Sequence, residues 1–298
     1  MRQKTDETIR IGHSPDPDDA FMFYGLAHEL LSTPGLRFEH VLRDIQRLND
    51  WALEGKLEIT AISAHAYPYV QEHYALLSSG ASMGAVDLAH GDEAARTDGR
   101  AQGPLLVARE QCTLGDLAGR RIAVPGKMTS AFLTLRLALG AFEYTVVPFD
   151  EIPQAVAGGE ADAGLLIHEG QLTFEQMGLH CILDLGRWWF ERTGLPLPLG
   201  CNVIRRDLGE EMMTRLGQIL RDSIEFSLTH RDEALQYALQ YGRDLDTALA
   251  DRFVAMYVND FTLDYGQTGR DALGAFFREA HQAGLTPEVA DLTFVGPA

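Results

Sequence analysis

Strand-like and helix-like stretches alternate along this chain twice over, and what remains is a helical tail. Short apolar runs bounded by turn formers recur at Thr8 to Gly12, Leu36 to Val41, Leu57 to Ser63, Pro104 to Arg109, Arg121 to Pro125, Tyr144 to Pro148, Gly164 to Ile167, Cys181 to Asp184 and Cys201 to Ile204. Between them lie stretches with apolar residues at helical spacing. In Asp44 to Glu54 the stripe is Ile45, Leu48, Trp51 and Ala52, and Gly55 closes the helix. Such alternation predicts an α/β chain with mostly parallel sheets. From Glu210 onward the pattern turns helical. Met212, Leu216, Ile219, Leu220, Ile224 and Leu228 keep one stripe, and further helices are expected over Ala234 to Tyr241, Ala248 to Tyr257 and Asp271 to Ala283. A loop punctuated by glycines and acids, Ser78 to Gly103, reads as a solvated connection. Pro196, Pro198 and Gly200 predict an irregular extended crossing. Two crossings divide the chain into one lobe of residues 1–103 with 204–298 and an inserted lobe of residues 104–203. A cleft between lobes is the natural small-molecule site, and closure around it would exclude water.

The formal net charge of -18 excludes nucleic acid and an anionic membrane surface as main partners, since both demand a basic footprint. It does not exclude a small organic anion, because a helix N-terminus overrides the global field locally. Cys112, Cys181 and Cys201 show no zinc spacing and read as reduced thiols. No run of about 18 apolar residues is present, and Met1 to Glu7 is polar with no apolar stretch after it, so a cytoplasmic chain is expected.

Four strand ends carry the polar residues. The first strand runs into His13-Ser14-Pro15-Asp16-Pro17-Asp18-Asp19, a Pro-fixed polar loop before an apolar helix. Asp18 and Asp19 read as N-caps of that helix, and capping explains the three aspartates better than a metal does. The strand ending at Ser63 is followed by Ala64-His65-Ala66-Tyr67. Thr129 and Ser130 open a helix after Gly126, where hydroxyls and free N–H groups suit a carboxylate. The run Gly164 to Ile167 is an uninterrupted buried strand that stops at His168-Glu169-Gly170. Taken alone, His168 is either a hydrogen-bonded structural histidine or a base working near neutral pH.

Several stretches together resemble the 1,4-dihydroxy-6-naphthoate synthase family of the futalosine route to menaquinone. The segment Ser14-Pro15-Asp16-Pro17-Asp18-Asp19-Ala20-Phe21-Met22-Phe23-Tyr24 is similar to the family's SPCPNDTFxFY. Leu48-Asn49-Asp50-Trp51-Ala52-Leu53-Glu54-Gly55 matches LNxWALEG, and Ala61-Ile62-Ser63-Ala64-His65-Ala66-Tyr67 stands where the family has KxSxxAY. Val124 to Ala131 is similar to VPGxxTTA, and Ala163 to Gly170 to AGLIIHES. The run Arg192 to Gly200 and Tyr257-Val258-Asn259 also resemble family segments. The chain departs from the pattern at Asp16 for cysteine, Asp18 for asparagine, Ala20 for threonine, Ala61 for lysine and Gly170 for serine.

The resemblance implies a two-lobed periplasmic-binding-protein-like fold of type 2 with a central cleft between its domains, used as a cytoplasmic enzyme. It implies a lyase that splits cyclic dehypoxanthinyl futalosine into 1,4-dihydroxy-6-naphthoate and a sugar-derived fragment, with neither metal nor organic cofactor. His168 is then the catalytic base. The substrate, a small carboxylate, is expected to meet Ser14, Asp18, Asp19, Asn49, Ala61, Ile62, Ser63, Thr129 and Ser130. A chorismate dehydratase-like relative and a non-catalytic organic-anion binder are the competing expectations.

Overall fold

In a computed structural model that describes residues 6–84, 103–168, 170–241 and 247–297, the strands follow in chain order. They are β1 (Glu7–His13), β2 (Leu36–Leu42), β3 (Ile59–Ser63), β4 (Tyr74–Leu77), β5 (Ser82–Gly84), β6 (Leu105–Ala108), β7 (Arg121–Val124), β8 (Glu143–Val146), β9 (Ala163–Leu166), β10 (His180–Asp184), β11 (Leu197–Arg205) and β12 (Phe294–Val295). The solvated loop expected over Ser78 to Gly103 falls for its greater part outside the described residues, as does Glu169.

Contacts divide the chain into two compact units. One comprises Met1–Ser82, Gly200–Gln267 and Val289–Ala298, the other Met83–Leu199 and Thr268–Glu288. In the first unit the strand order is β12-β4-β11-β3-β1-β2. β1 runs parallel to β2 and β3, and β11 runs antiparallel to β3 and β4. In the second unit the order is β10-β6-β9-β7-β8. There β7 is parallel to β8 and β9, and β6 is antiparallel to β9 and β10. The mostly parallel expectation thus holds for the strands that carry candidate loops, and each sheet has a reversed strand. β3 and β9 are buried at every residue, which is why β9 reads as an unbroken apolar run.

The helical tail supplies the core of the first unit. Leu216, Ile219, Leu220 and Ile224 of helix Glu210–Thr229 pack with Ile9 and Ile11 of β1 and with Phe21 and Phe23, and Met212 and Leu228 pack at the margin. The predicted stripe is therefore the buried stripe. In the second unit Leu105, Val107, Ala123, Ile152, Val156, Leu166 and Phe174 form the core. Helix Ile152–Ala157 lies so close to β9 that a Cβ at Gly164 would stand 2.6 Å from methyl carbons of both Ile152 and Val156. Glycine at that position lets helix and strand meet.

The segment expected as an irregular extended crossing is extended but regular: Leu197 to Gly200 is the first part of the nine-residue β11, whose Gly200–Ile204 ladder pairs with β3. The aromatic stretch after Asp184 is a helix, Leu185–Thr193. Asp184 caps it by accepting from the Arg187 N–H, and Gly194 ends it in the left-handed conformation. The division into units also differs from residues 1–103 with 204–298 against 104–203. Thr268–Glu288 falls in the second unit, because Phe276 meets the buried Trp189 edge-on at 5.5 Å and Glu279 accepts from Arg192 at 2.9 Å.

Candidate functional site

In the second unit the parallel pair β7 and β9 sets two candidate loops side by side. Ile122 pairs with Ala163 and Ala123 with Gly164, so both strands release their chains at the same sheet edge. After β7 comes the turn Gly126 to Thr129 and then helix Ser130–Leu139. Thr129 is its N-cap: the Thr129 hydroxyl accepts from the Phe132 N–H at 3.2 Å and donates to the Gly126 carbonyl at 2.9 Å. The Ser130 hydroxyl donates to the Leu199 carbonyl at 2.5 Å. Both hydroxyls thus brace the turn, and both residues are buried. What the turn offers a ligand is chiefly the positive end of a ten-residue helix.

After β9 the chain reaches His168 with φ +53. A side chain rarely adopts that backbone region, and where one does the surroundings must enforce it. Here the His168 carbonyl accepts from the Gln171 N–H at 3.2 Å, and its ring lies 4.7 Å from that of Phe149 at 59°. Phe149 follows β8, on the far side of β7, so its ring reaches across the β7 end. The half-buried imidazole is held by an enforced backbone and an aromatic neighbour.

In the first unit β1 and β3 are likewise parallel neighbours. Ser63, at the end of β3, is clamped by Asn49 from helix Ile45–Leu53. The Asn49 Oδ1 accepts from the Ser63 N–H at 2.8 Å, and the Asn49 Nδ2 donates to the Ser63 Oγ at 3.0 Å. Since Oγ is the acceptor in that bond, its own proton points elsewhere and is there to be donated. Ala61 packs with Leu48 and Leu57, and Ile62 is fully buried, so those two have only backbone to offer.

The loop after β1 differs from its expected form. The helix is Pro17–Met22, with Asp16 at the N-cap position making no side-chain cap bond, so Asp18 and Asp19 lie in the first turn and are not caps. The Asp19 Oδ2 accepts from the Ser14 N–H at 2.7 Å, so the anion held by that amide is the protein's own. Burial, and then the charges of Asp19 and Asp16, push the Asp18 carboxyl well above the ordinary range. The Asp18 Oδ1 is buried with no hydrogen-bond partner among the described residues.

Sequence reasoning passed over His13, His40 and Phe149. His13 Nδ1 lies 3.0 Å from the Ser14 carbonyl, and His13 Nε2 lies 3.0 Å from His40 Nδ1. The register pairs His13 with Leu42 on parallel strands, which puts His40, two residues earlier, on the same sheet face. The signal was present as parity, but using it requires the register. Among the described residues no group of three His, Cys, Asp or Glu side chains is placed to hold a metal ion. None of their helices is long and apolar enough to cross a membrane.

Comparison with known proteins agrees with this architecture. The chain matches the family described as menaquinone biosynthesis over residues 9–87 and 91–282. It is 42% identical over 279 residues to the 1,4-dihydroxy-6-naphthoate synthase of Thermus thermophilus, covering 94% of this chain and 96% of that protein. The crystal structure of protein AF1704 from Archaeoglobus fulgidus superposes with a TM-score of 0.83 at 45% identity, over 96% of this chain and all of that one. The alkanesulfonate-binding protein SsuA from Xanthomonas axonopodis pv. citri, at 14% identity, shares the fold alone: its TM-score is 0.65, over 98% of this chain and 99% of that one. The fold is the periplasmic-binding-protein-like α/β fold with two sheets.

Proposed function

The chain belongs to the menaquinone biosynthesis family, and on that premise we propose that it is a carbon–carbon lyase converting cyclic dehypoxanthinyl futalosine to 1,4-dihydroxy-6-naphthoate. The observation that carries the reading is the 42% identity, over 94% of the chain, to a protein named for that product. Cleavage followed by aromatisation needs a proton removed and a developing oxyanion stabilised. His168 takes the proton. An enforced backbone at the end of β9 supports this role, because it fixes the direction of the imidazole without help from a long side chain. The N-terminus of helix Ser130–Leu139, shaped by Thr129 and Ser130, receives the substrate carboxylate or the oxyanion. In the first unit we assign substrate binding to Ser14, Asp18, Asp19 and Ser63, with Asn49 orienting Ser63 and Ala61 and Ile62 contributing backbone. The reaction belongs to the cytoplasm on this reading.

The test is product formation. Cyclic dehypoxanthinyl futalosine is incubated with the protein and with His168→Asn, and 1,4-dihydroxy-6-naphthoate is followed by chromatography. Asparagine tolerates the left-handed backbone that His168 adopts, so the exchange removes the base while leaving the turn. The expected loss is about 10²–10⁴-fold in kcat at an unchanged melting temperature. Turnover intact in His168→Asn refutes the base. No product from the unaltered protein, under conditions where the Thermus enzyme forms it, refutes the reaction, and tight binding without turnover then identifies an anion binder.

A further inference from the structure

The buried pair His13 and His40 forms a chain of bonds whose proton positions are determined by geometry. A carbonyl oxygen only accepts, so the contact of 3.0 Å between His13 Nδ1 and the Ser14 carbonyl puts the His13 proton on Nδ1. A neutral His13 then has a bare lone pair at Nε2. The contact of 3.0 Å to His40 Nδ1 is a bond only if His40 donates from Nδ1. Both rings are therefore in the Nδ1–H form, which is the less favoured tautomer of a free imidazole. His13 is almost fully buried, with Phe23 stacked on it at 4.5 Å and 24° and the His40 ring edge-on at 5.2 Å. Burial first, and then the neighbouring imidazole, hold His13 down to about 3, and burial holds His40 down to about 4, so both are neutral at physiological pH.

The bond chain ends on Ser14. Its carbonyl is fixed by His13 and its N–H by Asp19, so the residue is clamped on both backbone groups between an imidazole donor and a carboxylate acceptor. We propose that His40 is a positioning residue that, by donating to His13, holds the Ser14 turn in its substrate-binding geometry. This rests on the reading of Ser14 as a binding residue. Without a donor at position 40 the His13 Nε2 lone pair is left unmatched, and the Ser14 carbonyl alone favours a proton on Nδ1. The Nε2–H tautomer would place two lone pairs against each other at the Ser14 carbonyl and release the turn.

Asparagine and aspartate at position 40 separate donor from shape, since they match each other in size and differ in whether the terminal atom donates and in charge. Protein labelled with ¹⁵N-histidine is examined at pH 7 by long-range ¹H–¹⁵N correlation, and steady-state kinetics are measured on the same samples. In the unaltered protein His13 and His40 are expected as neutral Nδ1–H rings, identified by the signals lost in His13→Phe and His40→Leu. His40→Asn is expected to keep the His13 signature and a KM within about twofold. His40→Asp is expected to convert His13 to the neutral Nε2–H form, the one that takes the donor away from the Ser14 carbonyl. It should raise KM about tenfold with kcat little changed, the factor that one hydrogen bond of ~1.4 kcal/mol is worth. A neutral Nε2–H form of His13 in the unaltered protein overturns the proposal, as does the same KM in both variants. Absence of turnover in the unaltered protein refutes the proposed function instead, and the spectra still decide the tautomers.

Discussion

Exchanging Asn49 for aspartate reverses one hydrogen bond and places a carboxylate in a wholly buried site. Asn49 is wholly buried, and its amide fits Ser63 at 2.8 and 3.0 Å. In Asn49→Asp the Oδ1 bond to the Ser63 N–H persists, but the second terminal atom becomes an acceptor. The Ser63 hydroxyl must then turn inward and donate to it, a charge-assisted bond stronger than the one replaced. With Ser63 in the substrate-binding role proposed above, the hydroxyl proton is then no longer offered to the substrate. A neutral hydrogen bond is worth ~0.5–1.5 kcal/mol and one to a charged group ~1.5–3, so kcat/KM falls about tenfold for a neutral partner and towards a hundredfold for a carboxylate. Stability falls as well, because the carboxylate is wholly buried and meets no cation in its bonds to Ser63, although the Ser63 N–H keeps its acceptor. In Asn49→Ala, by contrast, the Ser63 N–H is stranded at a cost of ~1–3 kcal/mol. The assay is steady-state kinetics on Asn49→Asp, Ser63→Ala and the double variant, with denaturant melts on each. In the Ser63→Ala background there is no hydroxyl to turn, so the aspartate should add little. Additive losses in the double variant refute the reasoning, and so does Asn49→Asp at unaltered kcat/KM beside a tenfold-impaired Ser63→Ala.

Three other outcomes follow from buried polar and backbone geometry. His13 and His40, held to about 3 and about 4, titrate below the unfolded value near 6.5, so the unfolded chain takes up protons first as pH falls. Their stabilisation is full above about pH 6.5 and is lost towards the folded values at ~1.4 kcal/mol per pH unit per histidine. Urea unfolding between pH 6 and 5 should accordingly be shallower in His13→Phe/His40→Leu by about 2.5 kcal/mol per unit. Burial raises the Glu58 carboxyl, but the Arg10 hydrogen bonds at 2.7 and 2.8 Å outweigh it and leave the group below its usual value, so this stabilisation is present above about pH 4.5 and lost on acidification. Glu58→Gln should cost ~1–3 kcal/mol in a denaturant titration at pH 7, less than a stranded buried charge, because the Arg10 side chain stays 41% exposed and can turn to water. Gly80 has φ +85 and its missing Cβ would collide with the Asn202 amide, which donates to the Gly80 carbonyl; Gly80→Ala should lower stability by ~2 kcal/mol or more in the same titration.

The fold was legible where one period ruled a whole segment. Helix Glu210–Thr229 buries the apolar stripe read from its sequence, and β9 is as buried as its unbroken run implied. It was illegible where a cap or a partner overrode composition. Trp188, Trp189 and Phe190 form no clean stripe, and the helix they occupy is announced only by Asp184 before it and Gly194 after it. Pro196 and Pro198 look like breakers, yet Pro198 lies within β11, ahead of the residues from Gly200 on that pair with β3. For the candidate site, sequence picked out the strand ends, because strand–loop–helix order does so. It did not say how each polar group is used. Thr129 and Ser130 brace their own turn, Asn49 serves Ser63, and the left-handed His168 follows from packing that no local pattern shows.

The aspartate loop shows most clearly what burial adds to a formula. Counted from sequence, Asp16, Asp18 and Asp19 put three negative charges on a loop expected to face an anionic substrate. Asp19 is already matched by the Ser14 N–H, and Asp18 is driven towards its neutral form by burial and by its two neighbours. A neutral carboxylic acid has the size of an asparagine side chain and, like the amide, presents a donor beside an acceptor. Asparagine is the residue that the resembling family carries at this position. The substitution that looks like an added charge in the sequence thus reproduces the hydrogen-bonding character of an asparagine. Burial first, and the two acidic neighbours after it, drive Asp18 towards the form that can donate a hydrogen bond.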